Sequence, residues 1–102
     1  MIPFESEINA VKEQIIEKYN PIKIILFGSC ASGCANLKSD IDLCIVMEYE
    51  DKQEVLMDML MNVESNRDVD FILYKPEEWV NYSSDEGCFA GLINRKGILL
   101  YG

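Results

Sequence analysis

Two strand-length apolar runs, Ile22 to Phe27 and Asp40 to Met47, flank a polar segment that opens with Gly28-Ser29 and closes, ten residues later, with Asp40-Ile41-Asp42. Side chains alternate along a strand, so Asp40 and Asp42 share a face with Cys44 and Val46, while Ile41, Leu43, Ile45 and Met47 line the other. The two aspartate Cα atoms are then roughly 6.5 Å apart. Carboxylates this close repel unless a cation lies between them. Because only the start of that face is polar, the sequence places a small turn suited to phosphate, and two acids suited to a metal, at one end of a sheet.

The rest of the chain alternates helical and strand periods. Ile8, Val11, Ile15, Ile16 and Tyr19 recur at helical spacing with charged residues between them, predicting an amphipathic helix from Phe4 to Tyr19 that Asn20-Pro21 ends. Cys30 to Cys34 fits a short helical turn and Asn36 to Ser39 a polar loop. A helix is predicted over Glu50 to Asn62, with Val55, Leu56, Met59, Leu60 and Val63 as its core stripe. Met57 and Met61 form a second stripe, readable either as a widened core or as an adaptable partner surface.

A third strand is predicted over Val69 to Tyr74, where Asp68, Asp70, Ile72 and Tyr74 share a face, acid first and apolar after, as on the second strand. Pro76 suits the first turn of a following helix, since its missing N–H is not needed there. A last helix over Asp85 to Arg95, with Gly97 as its C′ residue, precedes a final strand from Ile98 to Tyr101. This alternation predicts a single α/β (α+β) domain over residues 1–102, a small mixed sheet with helices packed mainly on one face.

At 102 residues, half of them apolar, the chain suffices for one core and not for two. No apolar run approaches the roughly 20 residues of a membrane helix, so a soluble, cytoplasmic protein is expected. Eighteen acidic against nine basic residues, a formal charge of −9, oppose direct binding to a nucleic-acid backbone, which draws affinity from Lys and Arg. The absence of histidine removes Ser-His-Asp triads, Cys-His pairs and His-ligated zinc from consideration. Cys30, Cys34, Cys44 and Cys88 make neither a disulfide framework nor a zinc site by their spacing, and are read as small buried apolar residues.

Asp-x-Asp alone is more commonly the pattern of surface acids at a strand end. The spacing from Gly28-Ser29, the flanking apolar strands and the third acid in phase together favour a nucleotide and metal site. The loop is neither a Walker A motif, since no Lys-Ser/Thr follows Gly33, nor a dinucleotide fingerprint, since Gly-x-Gly is missing. Lys38, two residues before Asp40, reads either as a solvated loop lysine or as a cation reaching polyphosphate; Arg95 and Lys96 are open in the same way.

Gly28-Ser29, ten residues and Asp40-x-Asp42, with Asp70 on the Val69 to Leu73 strand and the ending Gly97-Ile98-Leu99-Leu100-Tyr101, resemble the minimal nucleotidyltransferases of the DNA polymerase β-like superfamily over essentially the whole chain. The resemblance implies the polymerase β-like nucleotidyltransferase fold. It implies Mg²⁺ held by Asp40, Asp42 and Asp70, with Asp70 also accepting the acceptor's proton, and ATP as substrate, its phosphates meeting Gly28, Ser29 and Lys38. It further implies a HEPN-domain toxin as partner, to whose tyrosine AMP is transferred, so that the chain acts as a type VII-like antitoxin. Ser32 stands where members of the family commonly carry Arg, and cannot supply a charged bidentate clamp. A non-catalytic antitoxin that neutralises by binding is the alternative. Transfer to a small molecule such as an aminoglycoside is a third reading, weakened because related enzymes carry a further domain for it.

Overall fold

A computed structural model describes residues 3–102. Helix α1 spans Glu5–Tyr19 and buries Ile8, Val11 and Ile15, the spacing read from the sequence. It stops where Asn20 turns left-handed (φ 49°) and returns its N–H to the Ile16 carbonyl, one of the few non-glycine types that enters this region readily. Strand β1 (Lys23–Phe27) follows, then the single-turn helix α2 (Ser29–Ser32) and strand β2 (Ile41–Val46). Helix α3 (Lys52–Asn62) leads to β3 (Val69–Tyr74), and α4 (Pro76–Tyr82) and α5 (Phe89–Lys96) precede the short β4 (Ile98–Tyr101).

The four strands form one mixed sheet in the order β3-β2-β1-β4. β1 runs antiparallel to both β2 and β4. β2 and β3 are parallel, which requires a crossover between them, and α3 supplies it. Its start is fixed by Asp51, whose carboxylate accepts from the Gln53 and Glu54 backbone N–H groups at 3.0 and 3.2 Å, satisfying two donors that the helix itself leaves unpaired.

The larger core lies on the sheet face that carries Ile24, Leu26, Ile41, Leu43, Ile45 and Leu73, against Ile8, Val11 and Ile15 of α1 and Met59 of α3. The other face carries a smaller cluster, Ile25, Cys44 and Val46 under Trp79 of α4 and Ala90 and Ile93 of α5. Cover is thus heavier on one face, as the sequence predicts, but the second face is shielded over part of its length. Asp42 belongs to that second face, beyond the end of its apolar patch, and Asp40 precedes the strand.

Four local expectations are corrected, the first being the burial of all four cysteines: Cys30 and Cys44 are buried, but Cys34 is exposed and Cys88 half-buried. Leu60, assigned to the core stripe of α3, is 62% exposed and joins Met57 and Met61 on an outward apolar strip; α3 packs instead through Met59, with Val55, Leu56 and Val63 half-buried. The last helix begins at Phe89 and not at Asp85, because residues 85–88 form a turn in which the Asp85 carboxylate accepts the Gly87 N–H at 2.9 Å. Gly97 ends α5 in an extended conformation (φ −79°) and not in the left-handed region. What requires glycine there is close approach: a Cβ would strike the Ile93 carbonyl and the Ile25 side chain.

Leu43 is fully buried at the centre of the sheet. Truncation to alanine leaves a cavity between β2 and the α1/α3 layer, with an expected loss of about 2–5 kcal/mol. A lower urea midpoint at unchanged slope is the expected reading, and an unchanged midpoint would contradict this packing.

Candidate active site

The register of the sheet assembles the site. Phe27 of β1 stands opposite Asp42 of β2, and Asp42 stands opposite Asp70 of β3. Residues paired across adjacent strands point to the same face, so an aromatic ring and two carboxylates form one row across three strands. The strands are separated by about 4.8 Å, which brings the two acids together. The Asp42 carboxyl lies within hydrogen-bonding reach of Asp70.

Asp42 is half-buried and its affinity for a proton is raised, chiefly because burial penalises its charged form, and further by the negative charges of Asp70 and Asp40. Asp70 itself is exposed at the edge of the sheet. Asp40 is also exposed and lies just before β2 begins, near enough for its charge to act on Asp42. The structure therefore brings Asp42 and Asp70 together and leaves Asp40 as a neighbour. Among the described residues, no three carboxylates or thiols already stand as a closed metal-ligand set. The mutual repulsion of Asp42 and Asp70 nonetheless fits an oxygen-seeking divalent cation, because a bound positive charge removes the cost of ionising Asp42.

Gly28 abuts this pair. Its φ of 73° lies in the region disfavoured for side-chain-bearing residues, and a Cβ there would collide with the Asp42 carboxylate. Glycine thus meets two demands here, a left-handed turn and contact of bare backbone with an acid. The chain then coils at once into α2, where the Ala31 and Ser32 N–H groups both bond the Gly28 carbonyl at 3.1 Å. Ser29 opens that turn beside Gly28, and Cys30, directly after it, is buried in the core with its thiol 3.5 Å from the Asp40 carbonyl. The buried cysteine pins the turn to the strand that carries the acids.

Lys38 does not join Gly28. It is exposed on the polar loop, where its N–H bonds the Asn36 side chain at 2.8 Å, and it lines a shallow depression with Asp40, Arg67 and Asp68. Arg67 went unnoticed in the sequence. Its guanidinium donates to the Leu37 and Ser39 carbonyls at 3.0 and 3.5 Å and stacks 3.3 Å from the centre of the Phe4 ring. It thereby ties the loop preceding Asp40 to the N-terminal helix. The one signal for it was an arginine immediately before the acidic start of the third strand.

The site is thus a mixed four-stranded sheet that presents a glycine turn against paired carboxylates. The family model described as "Polymerase beta, Nucleotidyltransferase" matches residues 9–102, and the chain belongs to that family. A comparison with curated proteins finds no match. No helix among the described residues is long and apolar enough to cross a membrane.

Two substitutions test the geometry. Because the folded chain holds the Asp42 proton more tightly than the unfolded chain, stability falls as pH rises from the ordinary carboxyl range through the raised value, and the loss is complete above it. Asp42→Asn removes that loss, so in metal-free buffer its melting temperature should exceed that of the wild type at pH 7, with the gap closing towards pH 3. Gly28→Ala should lower both stability and melting temperature, with a loss larger than the ~1 kcal/mol that the same exchange gains at a compatible position, because the positive φ disfavours a side chain and the new methyl group displaces the Asp42 carboxylate.

Proposed function

We propose that this chain is a minimal Mg²⁺-dependent nucleotidyltransferase that transfers AMP from ATP to a tyrosine of a partner protein, a HEPN-domain toxin, and so acts as an antitoxin. The observation that carries this reading is the contact between Asp42 and Asp70 with the bare backbone of Gly28 against the same carboxylate. Asp42 and Asp70, with Asp40 nearby, are the residues to hold the metal, which when bound neutralises charge on polyphosphate oxygens. Gly28 and Ser29 offer backbone N–H and hydroxyl donors to the phosphates.

In this reading the acceptor hydroxyl attacks the α-phosphorus of ATP, a new phosphodiester bond forms, and pyrophosphate departs. The hydroxyl proton passes to Asp70. Its exposed place on the edge strand β3 supports that role, since an acceptor carried by another macromolecule must reach it from solvent. No second domain is needed to present that acceptor.

A non-catalytic antitoxin is the second reading, and a different observation favours it. Met57, Leu60 and Met61 expose an apolar strip on α3, and Glu50, Asp51, Glu54 and Asp58 lie alongside. That combination suits occlusion of a basic surface on the toxin.

Incubation with ATP labelled at the α-phosphate, Mg²⁺ and the co-expressed partner should label the partner. Asp42→Ala and Asp70→Ala should each reduce labelling at least ~100-fold, in the range for loss of a group that stabilises transition-state charge. Undiminished labelling by either variant would refute the assignment. Intact toxin neutralisation by both variants, without labelling, would favour the occlusion reading.

A further inference from the structure

The row that contains the acids continues into a cleft that the proposed chemistry does not use. Next to Asp42 across the sheet, Phe27 meets Phe89 at the start of α5, edge to face, with ring centres 5.6 Å apart and planes at 87°. Leu92 and Ile93, one turn further along α5, complete the apolar wall of a cleft of about 450 Å³. Gly28, Ser32 and Lys96 line the same cleft. Phe89 is 49% exposed and Leu92 43% exposed, a costly arrangement for large apolar side chains beside a polar turn.

We propose that this cleft receives the base and ribose of the nucleoside triphosphate, with Phe27, Phe89 and Leu92 as the surface on which the base packs and Lys96 as the cation that meets its phosphates. The inference rests on the nucleotidyltransferase reading and adds to it the residues that hold the nucleoside. Three observations on the structure converge. The cleft is continuous with the Gly28 turn, so a ligand whose phosphates lie at Gly28 extends its nucleoside either into this cleft or into solvent. Its walls are apolar and aromatic, suited to the flat face of a base. Its one ionisable lining residue is a lysine.

That lysine matters in a chain of charge −9. A polyphosphate approaching two carboxylates meets repulsion that the metal offsets only in part, and the loop from Gly28 to Ser32 brings no cation of its own. Lys38 lies in a separate depression. Lys96, in the last turn of α5, is the cation that shares a cavity with Gly28 and Ser32.

The division of labour is testable by calorimetric titration of the intact protein, in Mg²⁺, with an ATP analogue that has a non-cleavable α,β linkage and, separately, with inorganic tripolyphosphate. Phe89→Ala should weaken the analogue by about tenfold, within the range for loss of one base-stacking side chain, and leave tripolyphosphate unchanged. Leu92→Ser, on the same exposed rim, should act in the same direction and guards against misfolding of the first variant. Lys96→Met should weaken both ligands, and the deficit should shrink as salt is raised. Tight binding of the analogue by the wild type with no change in the Phe89 and Leu92 variants would overturn the cleft assignment while leaving the proposed function standing. Failure of the wild type to bind the analogue at all would overturn both.

Discussion

Two like charges held in contact by a parallel strand pair govern this molecule. The register of β2 and β3 sets Asp42 opposite Asp70, so the two carboxyls stay neighbours as long as both strands keep their apolar residues buried. A shift of β3 by one residue would turn Ile72 and Tyr74 away from the smaller cluster and carry Val69 and Phe71 onto its face. The hydrophobic pattern therefore enforces an electrostatic conflict. Such conflicts are retained where a ligand resolves them.

The supporting parts follow from that constraint. Gly28 must lack a side chain because the Asp42 carboxylate occupies the space a methyl group would take. Cys30 must be small and apolar because it anchors the turn under β2. Arg67 directs one guanidinium nitrogen at loop carbonyls, which fixes the approach of the chain to Asp40 and gives a half-buried cation close partners without a salt bridge. α4 and α5 cover Ile25, Cys44 and Val46 but stop short of the acids, leaving the carboxylate end of the sheet accessible.

Much of this was legible in the residues. Periodicity placed all four strands and α1 nearly at their observed limits, since strand alternation and helical spacing both report burial directly. The phase of Asp42 and Asp70 on their strands was legible for the same reason. The partner strand was not, because period-two alternation specifies a face and says nothing of which strand lies alongside. Leu60 misled because a helix packed over an edge strand buries a narrower stripe than one packed over the centre of a sheet. Gly97 misled because a glycine after a helix serves a left-handed cap or a close contact equally well, and only packing against Ile25 distinguishes them. Arg67 and the Phe27–Phe89 cleft stayed hidden because both depend on contacts between segments distant in sequence.

The parallel pairing of β2 with β3 has a kinetic corollary. The hairpin-like pairing of β1 with β2 needs only the short segment through α2, whereas β3 docks only after α3 has crossed over the sheet, and such non-local pairings form late and slowly. In the order of synthesis the glycine turn and the first two aspartates precede the third. Until β3 is paired with β2, Asp70 has no place beside Asp42, so the paired carboxylates exist only once those two strands are joined.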